Sequence, residues 1–279
     1  MGTQSTEARV RHYLMCPPTY FDVEYSINPW MDPGRRPDRS RAARQWQALQ
    51  DALCALGHVV EVVDAAPGLP DMVFAANAAV VIEGRVLVAT FRHSQRAGES
   101  PAFEKWFRSR GFEQVRCAEN INEGEGDHLL AGGVLLAGNG PRTSASANAE
   151  SHRYFGLPVV GLTLVDPRFY HLDTALAVLD DGDVMYWPGA FSETSRRELR
   201  RLFPDALLAA EDDAVAFGMN AISDGRHVVL PAAAHALAAK LSVRGYRPLP
   251  VDLCELGKAG GGPKCCVLEL RRPPPQAAA

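Results

Sequence analysis

The sequence predicts an α/β fold of five similar units set around a central axis. Two observations carry this. Five times, an amphipathic helix-like segment runs through a short turn into an apolar strand, and between these segments lie strand pairs joined by tight turns. The units recur at roughly 40–55 residues, a spacing that belongs to propellers and other repeat architectures. A doubly wound parallel sheet is the alternative, but its strands need crossovers where this sequence has hairpins. No shift in composition breaks Val10–Leu270. One domain over residues 10–270 is therefore expected, flanked by a disordered N-terminus (1–9) and a disordered tail (271–279) rich in Pro and Ala.

The elements follow in chain order. Arg41–Leu56 reads as a helix that turns at Gly57 into the strand Val59–Val63. Ser100–Arg110 turns at Gly111 into Gln114–Cys117, and Ala145–Phe155 turns at Gly156 into Val159–Leu164. Ser192–Phe203 turns at Pro204 into Ala206–Ala209, and Ala232–Arg244 turns at Gly245 into Arg247–Val251. Glycine just past a helix end is the expected C-terminal stop. The hairpins are Ala78–Ile82 with Val86–Thr90, Leu129–Ala131 with Val134–Ala137, Thr174–Leu179 with Val184–Trp187, and Ala221–Ser223 with His227–Pro231. A last strand covers Cys266–Leu270.

The chain has 279 residues, 47% hydrophobic and 22% charged, which is ordinary globular composition. A net charge of −4 with acids and bases interspersed gives no field for nucleic acid or an anionic membrane surface. No apolar run is long enough to span a bilayer, and the N-terminus has no apolar segment of the secretory type. A cytoplasmic location is the expectation, with self-association into a homo-oligomer left open. The six cysteines are scattered without CxxC or Cys/His spacing, so neither disulfides nor a metal site are expected.

In such an arrangement chemistry belongs where the loops of the five units converge, with a polar group from each repeat at a strand end. The sequence offers Asp71 and Asn77, then Arg92 and Arg96, then Glu123-Gly124-Glu125-Gly126-Asp127, then Arg142, then His171-Leu172-Asp173-Thr174. The Gly260–Gly262 run delivers Cys265 and Cys266 to the last strand. Three carboxylates as close as Glu123, Glu125 and Asp127 repel one another unless a cation lies among them. His171 and Asp173, two apart on a strand, would face the same way. Carboxylates for a planar cation, arginines for a carboxylate, and a cysteine with a histidine together describe an arginine-like small-molecule ligand.

With these residues in place the chain resembles the guanidine-modifying superfamily of arginine deiminases, dimethylarginine dimethylaminohydrolases, amidinotransferases and arginine dihydrolases. The carriers are Leu14–Pro18, Ile27–Met31, Pro70–Phe74, Arg96–Glu99, Glu123–Asp127, Arg142-Thr143, His171–Thr174 and Gly260–Cys265. The resemblance implies a five-bladed α/β propeller, the pentein fold, of ββαβ-type repeats. It makes Cys265 the nucleophile, with Cys266 a buried neighbour, and His171 the general acid/base. Asp173 and one acid of the run, Glu125 in preference to Glu123, become guanidinium ligands. Asp71 matches the residue on the substrate α-amino group, and Arg96 and Arg142 those on its α-carboxylate. Asn77 stands where many such hydrolases place a carboxylate. Together with Asn28-Pro29-Trp30-Met31 it looks most like the arginine dihydrolases. The implied activity is hydrolysis of arginine without metal or organic cofactor, to ornithine or citrulline. Methylated arginine as substrate, or transfer of the amidino group, are the alternatives, with a non-catalytic amino-acid-binding propeller a more distant one.

Overall fold

The computed structural model describes residues 8–272. Its strands form five separate three-stranded sheets, not one doubly wound sheet. Four of the sheets repeat one connection. A hairpin gives two antiparallel strands, and a helix then crosses over to a third strand parallel to the second.

These four units are β3 (Ala79–Ile82), β4 (Arg85–Val88), α2 (Glu99–Ser109), β5 (Gln114–Cys117); β6 (His128–Ala131), β7 (Val134–Asn139), α3 (Ser146–Phe155), β8 (Val159–Thr163); β9 (Leu176–Asp180), β10 (Asp183–Tyr186), α4 (Glu193–Leu202), β11 (Leu207–Leu208); and β12 (Ile222–Ser223), β13 (His227–Pro231), α6 (His235–Val243), β14 (Arg247–Val251). The fifth sheet joins the two ends of the chain. β1 (His12–Met15) pairs in parallel with β2 (Val59–Val62), reached through α1 (Arg39–Ala55), and antiparallel with β15 (Leu268–Glu269). Two short helices, α5 (Glu211–Val215) and α7 (Cys254–Gly257), complete the chain.

Local chemistry sets these boundaries. In α1 the residues Ala42, Gln45, Trp46, Leu49 and Leu53 are buried, one face of a 3.6-residue period, and Asp38 caps the helix by accepting from Arg41 N at 2.9 Å. Gly156 ends α3 at φ +74°, a conformation costly for any side chain. The hairpin between β3 and β4 turns through Glu83 and Gly84, both at positive φ, as a tight two-residue turn requires. The apolar cores lie where neighbouring units pack. Leu14, Met72, Val81, Val88, Phe103 and Phe107, for example, join β1 to the neighbouring β3–β5 unit and the segment leading into it. Among the described residues no helix is long and apolar enough to cross a membrane.

Several expectations are corrected. The strand expected over Cys266–Leu270 is only Leu268–Glu269, because Lys264–Cys266 forms a short helical turn. The strand expected from Thr174 begins at Leu176, after a similar turn at Leu172–Thr174. β1 was not anticipated, although its alternation is masked only by full burial of Leu14 and Met15. Of the ends expected to be disordered, Arg9 pairs with Asp180 and Asp181, Arg271 with Glu125 and Glu269, and Arg272 with Glu61. The remaining terminal residues, 1–7 and 273–279, lie outside the described residues.

Arg271 is the tie that holds β15 down. It meets the fully buried Glu125 carboxylate, which Lys264 Nζ (2.7 Å) and Glu269 N (3.1 Å) also engage. Removing one partner of a buried carboxylate is costly, but Lys264 remains. Arg271→Ala should therefore lower stability by about 1–3 kcal/mol. Urea unfolding should show a lower midpoint with an unchanged slope, and an unmoved midpoint would contradict the assignment.

Candidate active site

The first strand of each unit is preceded by a tight turn, and these turns deliver the site. Ala75–Ala78 carries Asn77 ahead of β3, and Gly124–Gly126 with Asp127 precedes β6. Leu172–Thr174, with His171 at its start, precedes β9. Asn220 follows a turn at Phe217 and leads into β12, and Lys264–Cys266 precedes β15. His171 and Asp173 therefore lie on a turn, not on one strand face as expected.

The glycines around these turns make room rather than flexibility. A Cβ on Gly261 would sit 2.1 Å from the Phe74 ring, and one on Gly262 would sit 2.8 Å from Asn220 Oδ1. A Cβ on Gly126 would sit 2.2 Å from Asn77 Nδ2 and 3.3 Å from the His171 ring. Only a residue without Cβ lets these backbones approach so closely.

Cys265 is 2% exposed. Its thiol donates to Asp173 Oδ2 at 3.4 Å, and its sulfur accepts from Asn220 Nδ2 at 3.1 Å. His171 Nε2 lies 2.8 Å from Glu123 Oε2 and 3.9 Å from Asp127 Oδ2. Glu123 also accepts from Arg142 Nη1 at 2.8 Å and from the Arg92 N–H at 3.1 Å. Asn77 Oδ1 accepts from Arg96 Nη1 at 2.7 Å, and Asp71 Oδ2 accepts from Tyr25 OH at 2.8 Å.

Burial dominates the electrostatics. It pushes His171 down to about 4, although the Glu123 carboxylate pulls the other way. It raises Asp173 to about 7 against the opposing field of Lys264. Asp71 and Asp127 are raised by the same cause. Glu123 is the exception: burial would raise it, but Arg142 and His171 outweigh that and hold it well below the usual range. Burial, with the nearby Asp173 charge, lifts the Cys265 thiol well above its ordinary value. Without a cation, then, the centre holds a thiol, a neutral imidazole and three carboxyl groups that resist ionisation.

The anticipated residues divide. Cys265 contacts Asp173, His171 contacts Glu123, and Arg96 joins Asn77 to the Asp71 backbone. The geometry does not favour Glu125 over Glu123, because neither has an unengaged oxygen: Lys264, Arg271 and the Glu269 N–H engage Glu125, and the Arg92 N–H, Arg142 and His171 engage Glu123. Arg96 is engaged by Glu99 at 2.8 Å through Nε and Nη2, by Asn77, and by the Asp71 carbonyl at 3.2 Å. Arg142 is held by Glu123 and the Ile27 carbonyl, with Tyr170 under its guanidinium. Both arginines thus brace the site's own carboxylates and amide. Asn28 is engaged by Ala259 O (3.0 Å) and Trp30 N (2.9 Å), against the glycine run.

Two residues were not singled out. Asp127 was one member of the acidic run without a role of its own. Asn220 belongs to the one unit to which no polar group had been assigned, so the rule of one group per repeat was the signal that pointed to it.

Buried polar atoms in folded proteins nearly all have partners. Here Asp71 Oδ1, Asn77 Nδ2, Asp127 Oδ2, His171 Nδ1 and Asp173 Oδ1 are buried with no hydrogen-bond partner. Three are carboxylate oxygens. Such a set suits a cation that donates several hydrogen bonds in a plane, as a guanidinium does.

No family model matches the chain. It is 50% identical over 262 residues to the N(G),N(G)-dimethylarginine dimethylaminohydrolase of Mycobacterium tuberculosis, covering 94% of this chain and 86% of the relative. It is 38% identical over 272 residues, 95% of this chain, to the bifunctional arginine dihydrolase/ornithine cyclodeaminase AgrE of Nostoc sp., of which it spans 38% of the length. Among solved structures, the N-terminal domain of the cyanobacterial arginine dihydrolase ArgZ matches with a TM-score of 0.90 and 35% identity, over 94% of this chain and 99% of that one. That domain has been solved as a cysteine-to-serine variant bound to substrate and, in an asparagine-to-serine variant, covalently bound to a reaction intermediate.

The unusual state of His171 is directly measurable. Its imidazole proton resonance should titrate near pH 4, and Glu123→Gln, which removes the one group pulling the value up, should move it lower still. The unfolded chain takes up this proton near 6.5, so between that value and about 4 the unfolded state binds more protons, and His171 costs stability as the pH falls through this window. A midpoint near 6.5 in the folded protein would contradict the burial argument.

Proposed function

Because the chain belongs to the guanidine-modifying superfamily of dimethylarginine dimethylaminohydrolases and arginine dihydrolases, we propose that it is a cysteine-dependent hydrolase of the guanidinium group of free arginine. The observation that carries the choice of substrate is the set of partnerless oxygens on Asp71, Asp127 and Asp173, the last of these beside the Cys265 thiol. Each would accept from an N–H, and an unsubstituted guanidinium offers five donors. Asp173 and Asp127 are the guanidinium ligands in this reading and Asp71 takes the α-amino group, while the free Asn77 N–H, a donor, is not a guanidinium ligand. A closed five-bladed propeller fits as well, supported by the pairing of β15 with β1 across the chain ends.

The reaction balances on this chain's residues. The guanidinium charge favours the Cys265 thiolate, whose proton passes to His171. The sulfur attacks the guanidinium carbon, and His171 returns the proton to the departing nitrogen. Ammonia leaves and a thiouronium ester remains. His171, neutral again, removes a proton from water as it attacks that carbon. Glu123 keeps the imidazole in place and stabilises its transient charge, with Arg142 fixing Glu123 in turn. Release of sulfur gives citrulline. A second round on the ureido group gives ornithine, ammonia and carbon dioxide.

A second reading, hydrolysis of methylated arginine, is favoured by the 50% identity to the mycobacterial relative. A dimethylated nitrogen carries no N–H, so it would leave carboxylate oxygens in this site unpaired. Product analysis separates the readings. Ornithine with two ammonia per arginine indicates dihydrolysis, citrulline with ammonia single hydrolysis, and citrulline with dimethylamine the methylated substrate. An amidino group moved to glycine would indicate transfer. Cys265→Ser should make no product yet still bind arginine by calorimetry. Full turnover in that variant would end the proposal.

A further inference from the structure

We propose that Asn220 is a positioning residue for the nucleophile: its side-chain amide fixes the Cys265 backbone and donates the hydrogen bond that stabilises the sulfur as a thiolate. The proposal deepens the reading of Cys265 as nucleophile and rests on it. Asn220 is fully buried and uses both ends of its amide on one residue. Its Oδ1 accepts from the Cys265 N–H at 3.0 Å and its Nδ2 donates to Cys265 Sγ at 3.1 Å. The same Nδ2 donates to the Asp173 carbonyl at 3.2 Å, which ties the turn that carries Asp173 to the turn that carries Cys265.

The other groups facing Cys265 cannot play this part. Asp173 Oδ2, at 3.4 Å, is an acceptor that opposes the thiolate. Tyr170 has its hydroxyl committed to the Gly260 carbonyl at 2.8 Å, and Cys266 is a second buried thiol. Lys264, the adjacent cation, reaches away to Glu125. Among described side chains, Asn220 supplies the hydrogen-bond donor to the sulfur, and a backbone hydrogen bond from Gly262 also favours the thiolate.

The chain is shaped to hold the amide there. Phe217 has φ +57°, a conformation that a bulky residue adopts only when the surroundings enforce it. Its ring lies on Trp30 at 4.6 Å. The Phe217 carbonyl accepts from the Asn220 N–H at 2.9 Å. Gly262 leaves the space that the Asn220 amide occupies.

Two variants separate donation from packing. Asn220→Asp is nearly isosteric and keeps an acceptor for the Cys265 N–H, but it loses the donor and adds a negative charge. Asn220→Ala loses both bonds. Iodoacetamide labelling of Cys265, read by tandem mass spectrometry to separate it from Cys266, reports the thiolate fraction. Both variants should label about tenfold more slowly than wild type at a given pH, the equivalent of one pKa unit. With substrate, kcat should fall at least as much while calorimetric arginine affinity changes little. Wild-type labelling in Asn220→Asp would overturn the proposal. If either variant melts below the assay temperature, the wild-type protein decides: the Asn220 amide protons should shift when Cys265 is alkylated, and unmoved resonances would overturn it. Labelling uses no arginine, so it stands apart from a failed product assay, which would count against the functional reading alone.

Discussion

Keeping carboxyl groups dry where five turns meet is the constraint on which this structure depends. Asp71, Asp127 and Asp173 sit there, each at most 3% exposed. Desolvation of that kind is costly for a charge unless a partner is close. The chain meets the constraint with an outer set of buried ion pairs. Arg96 with Glu99, Arg142 with Glu123, and Lys264 and Arg271 with Glu125 are each fully or largely buried. Buried pairs of this sort add little net stability over apolar packing of the same shape. What they supply is position. Arg96 reaches Asn77 and the Asp71 carbonyl, Arg142 holds Glu123 against His171, and Lys264 anchors the turn that presents Cys265.

How much of this was legible in the sequence follows from the physics of each signal. The helix-turn-strand units showed because a helix stripe and a strand run differ in period, and the glycine stops showed because only glycine accepts those angles. Cys265 stood out because a reactive residue type follows a glycine run, and His171 and Asp173 because of their spacing, although they lie on a turn and not on a strand face. The acidic run left Glu123 and Glu125 undivided, because the sequence does not show which way each acid faces. Gly124, at φ +59° and packed against the backbone of Ala76 and Ala79, turns the chain between them. Glu123 then meets His171, and Glu125 meets Lys264. The arginines carry a related ambiguity. A sequence shows that a guanidinium is present, but not whether its five donors are already engaged within the protein.

Asn220 was the least legible, and its case is instructive. Asparagine beside a strand is common, and nothing around Met219-Asn220-Ala221 marks it. Yet four of the five units had contributed a polar residue just ahead of the first strand, at Asn77, Asp127, Asp173 and Cys265. A repeat architecture makes the missing member of such a series conspicuous. The repeat is therefore a stronger signal for Asn220 than its local sequence.

The electrostatics at the centre then explain how reactivity is confined to the right ligand. With no cation bound, burial and Asp173 keep Cys265 a thiol, and burial keeps His171 neutral. A guanidinium among the three carboxyls reverses the sign of the local field. On the proposed reading, the same charge that Asp127 and Asp173 would hold favours the thiolate, so recognition and activation of the nucleophile would draw on one interaction. A neutral ligand lacks that charge, so a second round on the neutral but still N–H-rich ureido group would draw less activation from the site. Selectivity for a cationic, N–H-rich group is therefore set by the dryness of the site as much as by the contacts within it. It weakens wherever a substitution lets water reach Asp173.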